Sequence, residues 1–348
     1  MFRTSIIVKR FASSRIRRIA AGLAISASLF PLACGRTHRH VLEVAYVSTP
    51  QAALRDQVAA ISNHVGNVKN GERLEVLERE KRFARVRTAT GIEGWIEQRY
   101  LIDQKTYDGL QKLTQEKQSA PVQAPGVLRN ETNLHIRPGR ETEHLYQLAS
   151  GAKVSILERA TAEKQERVAQ PAKPVLAKSG EKAAAEPHLE DWWLVRDESG
   201  RVGWVLARMV DVDVPLDIAQ YAEGQRFVAF SKLNEVQDQE KKVPQYLCVL
   251  TEPHDGLPYD FDQVRVFTWN VKKHRYETAY REHGVDGVLP VTVTQENFDK
   301  EGTLPVFLLR VKDDAGNISE RKYKLNTPIV RRVLAPGESM PKPIRRRR

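Results

Sequence analysis

The sequence predicts an all-β chain in which two small barrels in tandem precede a larger antiparallel β-domain. Two observations carry this. Between residues 41 and 330 apolar and polar side chains alternate in short runs separated by glycine-containing turns, the period of half-buried strands. A whole block of such runs also occurs twice. Gly71-Glu72-Arg73-Leu74-Glu75-Val76-Leu77-Glu78-Arg79 returns as Gly151-Ala152-Lys153-Val154-Ser155-Ile156-Leu157-Glu158-Arg159, offset by 80 residues. Phe83-Ala84-Arg85-Val86-Arg87 returns as Trp192-Trp193-Leu194-Val195-Arg196, and Gly91-Ile92-Glu93-Gly94-Trp95-Ile96 as Gly200-Arg201-Val202-Gly203-Trp204-Val205, both offset by 109. The jump of 29 places an insertion in the second copy.

Each element of the repeat has a physical role. Leu74 and Val76, with Val154 and Ile156, alternate with polar neighbours and predict one strand; Val86 and Val195 lie in the next. Thr90-Gly91 and Ser199-Gly200 turn the chain into a third strand, where a glycine immediately precedes Trp95 and Trp204. Those two tryptophans are expected in the core. Trp192 and Trp193 are adjacent, so on a strand they face opposite ways, and Trp193 is expected to be the exposed one. The inserted stretch is rich in Ala, Lys, Glu and Pro and nearly lacks bulky apolar residues, so residues 160–190 are expected to be a disordered loop.

An aromatic-x-x-Val-Arg strand followed by Gly-x-x-Gly-Trp-[Ile/Val] resembles the bacterial SH3 (SH3b) domain. The second copy adds Asn133-Leu134-His135-Ile136-Arg137-Pro138-Gly139, similar to the opening of that family. The first keeps an arginine in Ala53-Leu54-Arg55-Asp56 but lacks the Pro-Gly. The resemblance covers residues 41–103 and 127–212 and implies two SH3-like barrels. It also implies that they bind peptidoglycan or peptide segments through loops flanking the barrel. Exposed aromatics and arginines there are the candidate contacts: Arg55 and Phe83 in the first copy, and Arg137, Tyr146, Trp192 and Trp193 in the second.

Residues 104–126 read as a short helix followed by a linker. Beyond Pro215, residues 216–330 alternate again and predict an antiparallel domain of six to eight strands, with hairpin turns at Asn270 to His274 and Asp313 to Asn317. No family resemblance emerges for it. Residues 331–348 are expected to be a basic, disordered tail.

The formal net charge of +11 is concentrated at the ends. Residues 1–33 carry +6 and residues 331–348 another +6, leaving −1 for residues 34–330, so the folded body has no basic face of nucleic-acid strength. At the amino terminus a basic stretch (residues 1–18) precedes an apolar run (residues 19–32), then Ala33-Cys34-Gly35. That is the pattern of a secretory signal peptide over residues 1–33. Fourteen apolar residues span about 21 Å as a helix, short of the ~30 Å hydrocarbon core. Ala33-Cys34 resembles the end of a bacterial lipoprotein lipobox, which implies an acylated Cys34 holding the protein to a bilayer; Pro31 and Leu32 depart from that pattern.

With two cysteines a disulfide framework is excluded, and Cys248, inside Tyr246-Leu247-Cys248-Val249-Leu250, is expected to be a buried thiol. A cysteine peptidase of the NlpC/P60 type would resemble Asp-Cys-Ser-Gly with a later histidine, whereas Cys248 lies between Leu247 and Val249. His254, His274 and His283 are scattered over predicted turns rather than set at metal-ligand spacing. No catalytic residue, metal or cofactor is expected. The expectation is an envelope lipoprotein that binds peptidoglycan or a peptide or protein ligand. The alternatives are a scaffold within an envelope complex and, after it, an accessory piece of a cell-wall hydrolase.

Overall fold

The computed structural model describes residues 40–164 and 188–334, and Cys34 with the expected signal peptide lies outside them. The described chain is three seven-stranded antiparallel sheets. The first comprises β1 (Glu43–Val47), β2 (Gln51–Arg55), β3 (His64–Lys69), β4 (Arg73–Glu80), β5 (Phe83–Arg87), β6 (Glu93–Glu97) and β7 (Leu101–Asp103). A helix, α1 (Gln104–Glu116), follows, capped by the Asp103 carboxylate accepting from the Thr106 amide. The second sheet comprises β8 (Ala124–Leu128), β9 (Thr132–His135), β10 (His144–Leu148), β11 (Lys153–Glu163), β12 (Leu189–Asp197), β13 (Val202–Leu206) and β14 (Val210–Val212).

The two sheets have one topology: β3-β2-β6-β5-β4-β1-β7 is matched position for position by β10-β9-β13-β12-β11-β8-β14. Even the irregularity repeats. The ladder slips between Val76 and Glu78 in β4 and between Ile156 and Glu158 in β11, the same place in each copy. The Gly-Trp pair has its reason here too. A Cβ on Gly94 would lie 2.8 Å from Leu54 Cβ and 3.1 Å from the Arg55 carbonyl, and one on Gly203 would lie 2.7 Å from Leu134 Cβ and 3.2 Å from the His135 carbonyl. Only glycine lets β6 and β13 cross their neighbours this closely.

Each sheet curls around its own apolar interior. Leu54, Val68, Leu74, Val76, Val86 and Ile96 fill the first. The interior of the second (Leu134, Ile156, Trp193, Val195, Val205) runs on without a break into the third sheet through Val228, Leu247, Val264, Val291 and Phe307. That third sheet is a meander in sequence order: β15 (Arg226–Asp238), β16 (Lys241–Thr251), β17 (Phe261–Asn270), β18 (Arg275–Asn297), β19 (Thr303–Lys312), β20 (Ile318–Asn326) and β21 (Ile329–Val333). Buried Cys248 belongs to a smaller cluster with Ile218, Leu250 and Phe267, and burial pushes its thiol pKa up, away from a reactive thiolate.

Several boundaries differ from the sequence reading. Residues 124–126, read as the end of a linker, are the start of β8, and the preceding Gln123 is buried. α1 is packed between the barrels: Tyr107 stacks on Tyr46 at 3.8 Å, Leu110 is buried, and Leu113 lies against Leu157 and Leu194. The expected disordered insertion is narrower than 160–190, because Ala160 to Glu163 pair with Leu189 to Trp192 and prolong the β11–β12 hairpin. Residues 165–187 lie outside the described chain. Arg331, Arg332 and Val333, assigned to the tail, form the end of β21 against Lys322 to Lys324. Composition missed these extensions because a backbone ladder is satisfied by neighbouring amides, whatever the side chains.

Candidate binding cleft

Where β2 meets β6 the first barrel opens a cleft of about 210 Å³ lined by Thr49, Gln51, Ala53, Arg55, Phe83, Trp95, Glu97 and Tyr100. Its floor is aromatic. Phe83 and Trp95 line it while largely buried, and Arg82 lies 5.3 Å over the Phe83 ring. Tyr100 is held by Arg99, whose Nη2 donates to the Tyr100 hydroxyl at 2.8 Å while its Nε pairs with Glu97 at 2.8 Å. Arg55 stands at the rim, exposed, and its guanidinium has no hydrogen-bond or ion-pair partner among the described residues. An unpaired, forked cation beside an aromatic floor is suited to a ligand with a carboxylate or peptide carbonyl and an apolar face. Sequence reasoning found Arg55 and Phe83, and the structure brings them together. It missed Tyr100 and Glu97; Trp95, expected in the core, is buried as expected and also lines the cleft.

At the matching corner of the second barrel the side chains differ. Arg55 lies opposite Trp95 in the ladder, and His135 lies opposite Trp204, so the structural counterpart of Arg55 is His135 rather than Arg137. Phe83, Trp95, Glu97 and Tyr100 are replaced by Trp192, Trp204, Leu206 and Met209. His135 sits edge-on to Trp192 at 5.3 Å and beside His144 at 5.2 Å. Burial, with the neighbouring His144 adding to it, holds its imidazole pKa down to about 4.

The other candidates of the second copy do not form a surface. Trp193, expected to be exposed, is 2% exposed and lies in the core shared with the third sheet. Trp192 is also 2% exposed, and its indole N–H has no acceptor. The two rings do point to opposite faces of β12, but both faces are covered. Tyr146 packs between the barrels, with Arg201 4.6 Å over its ring and Gln111 donating to its hydroxyl. Arg137 is exposed and pairs with Glu143 at 3.2 Å. His254 pairs with Glu252 and His274 with Asp238 on the surface, whereas His283, read as a turn residue, lies within β18 with its Nδ1 3.1 Å from Gln263 Nε2. Among the described residues no group of three or more His, Cys, Asp or Glu is placed to hold a metal, and no helix is long and apolar enough to cross a membrane.

Comparison with known proteins agrees on the class of the first barrel. Residues 51–102 match the bacterial SH3 domain family, a stretch that begins at β2 and contains Arg55, Phe83, Trp95 and Tyr100. The first barrel is therefore SH3-like. No curated protein matches the chain. Solved structures to which it is similar include NlpC2 from Trichomonas vaginalis, at 12% identity, TM-score 0.17, over 85% of this chain and 97% of that one. An NlpC/P60 family protein from Bacillus cereus ATCC 10987 aligns at 9% identity, TM-score 0.22, over 82% and 95%. NlpC1 from Trichomonas vaginalis aligns at 10% identity, TM-score 0.16, over 85% and 92%.

Proposed function

We propose that this protein is an exported, non-catalytic envelope lipoprotein, anchored through an acylated Cys34, whose first barrel binds peptidoglycan or an envelope peptide in the Arg55 cleft. The observation that carries the reading is the unpaired Arg55 guanidinium over the Phe83–Trp95–Tyr100 floor, inside the segment matching the bacterial SH3 family. The second barrel, a copy by topology, serves as a second SH3b module that packs rather than binds. Its core is continuous with the third sheet, which favours a scaffold role for that half of the molecule. The basic n-region, the short apolar run and Ala33-Cys34 support export and lipidation.

Sedimentation of the purified protein with peptidoglycan sacculi tests the ligand. Retention in the pellet is expected; a protein left in the supernatant while an envelope protein co-purifies with it would replace wall binding with the scaffold reading. For the anchor, Cys34→Ser should abolish lipid labelling and membrane fractionation, and unchanged fractionation would reject lipidation.

A further inference from the structure

A second cleft, larger than the first, lies where the second barrel meets the third sheet. It has a volume of about 320 Å³ and is lined by Pro121, Leu157, Glu158, Arg159, Asp260, Val288, Leu289, Pro290 and Arg310. That volume is at the small end of the range for ligand pockets, about 300–1,000 Å³.

The charges around it are almost all spent on one another. Arg159 is 4% exposed and Asp191 is fully buried; Arg159 Nη2 donates to Asp191 Oδ1 at 2.7 Å and its Nη1 to Asp260 Oδ1 at 3.2 Å. The other Asp191 oxygen accepts from Arg226 at 2.6 Å, and the other Asp260 oxygen accepts from the Leu289 amide at 2.8 Å. Glu158 is paired with Lys117. Arg310 differs. Its Nη1 donates to the Leu289 carbonyl at 2.8 Å, which fixes the side chain, but the guanidinium has no ion-pair partner among the described residues. Glu320 faces it across the β19–β20 ladder without forming a pair. The cleft thus offers apolar walls from Pro121, Leu157, Val288, Leu289 and Pro290, and one half-used, pre-oriented arginine. The lining carboxylates are tied up, Asp260 by Arg159 and the Leu289 amide and Glu158 by Lys117, although Arg159 and Arg226 are shared among Asp191, Asp255 and Asp260, so Arg310 carries the positive charge of the cleft. A guanidinium with spare N–H groups binds a carboxylate by two parallel hydrogen bonds, and strongly so beside low-dielectric walls.

We propose that this cleft is a second binding site, distinct from the Arg55 cleft, which takes a chain-terminal carboxylate on a short apolar body, with Arg310 as the anion contact. The C-terminal residue of a small-residue peptide has that chemistry, as does a free short-chain acid; the site requires only the carboxylate and the apolar body.

Calorimetric titration of the whole protein with N-acetyl-Ala-Ala, its C-terminal amide, and butyrate tests this. The peptide acid is expected to bind at least about tenfold more tightly than the amide, because the amide loses one charge-assisted pair. Butyrate binding as well as the peptide acid assigns the site to free acids; weaker butyrate binding assigns it to peptide termini. Measured in an Arg55→Gln protein, so that the first cleft does not contribute, adding Arg310→Gln should remove the acid–amide difference, which separates this site from the first. Equal binding of acid and amide, no binding of either acid, or a preference that survives Arg310→Gln would overturn the proposal. The acid–amide comparison in the Arg55→Gln protein keeps Arg310 intact, so a folding defect in the Arg310 variant leaves the test standing.

Discussion

At the corner where β2 meets β6 the first barrel presents Arg55, Phe83, Trp95 and Tyr100, and at the matching corner the second presents His135, Trp192, Trp204 and Met209. Strand order, bulge position and the Gly-Trp crossing are common to both. The exposed, unpaired Arg55 has its counterpart in a half-buried imidazole with a depressed pKa, and Glu97 and Tyr100 have theirs in Leu206 and Met209. The second barrel has gained instead a long hairpin, β11–β12, whose Arg159 and Asp191 are locked into the third sheet. On the proposed reading, one scaffold serves two uses. An open corner keeps polar groups available to a ligand; a filled one turns the same strands into a packing element.

The sharpest way to break this contrast is to attack the lock. Asp191→Ala takes the shared carboxylate from buried Arg159 and half-buried Arg226, leaving them Asp260 and Asp255, and removing one partner of a buried pair costs about 3–5 kcal/mol. Denaturant unfolding should show that loss. A change below about 1 kcal/mol would mean the ion cluster contributes little to joining barrel and sheet.

The half-buried imidazole gives a pH signature found in one barrel only. Unfolded, His135 titrates near the ordinary value of about 6.5, while folded it is held down to about 4. Its contribution is therefore fully present above pH 6.5 and is lost as pH falls toward 4, because the unfolded chain takes up the proton first. The loss is of the order of 2–3 kcal/mol. His135→Gln should flatten the stability curve in that window, and an NMR titration of His135 should find its midpoint well below 6. A midpoint near 6.5 would contradict the burial argument.

What the barrels share should respond alike. Gly94→Ala and Gly203→Ala each drive a Cβ to within 3 Å of a leucine Cβ, and overpacking of this kind costs about 1–3 kcal/mol. Similar losses in thermal unfolding are expected, and a large effect at one site alone would weaken the equivalence of the two crossings.

Much of this organisation is legible in the sequence. The offset jump from 80 to 109 located both copies and the inserted stretch, and the alternation gave the strand-rich third region. What escaped depends on long-range placement. Trp193 looked free because alternation assigns one of two adjacent residues outward, yet β12 is sandwiched and has no outward face. Arg137 looked like the partner of Arg55 by residue type, whereas the ladder places His135 there, as the 80-residue offset already does when carried back to Leu54 and Leu134. Tyr100 and Glu97 carried a usable signal: both fall in the 109-residue offset block, and both become apolar in the second copy. The Arg310 cleft joins residues from five separate stretches of chain, and no local pattern marks it.

The contrast between the barrels is tested most directly by sacculi sedimentation of Arg55→Gln and Arg137→Gln in parallel with the unaltered protein. Both arginines are exposed, so neither change should move stability by more than about 0.5 kcal/mol. Loss of the protein from the pellet with Arg55→Gln and full retention with Arg137→Gln is the expected result. Retention of Arg55→Gln, or loss only with Arg137→Gln, would contradict binding through the first barrel's cleft.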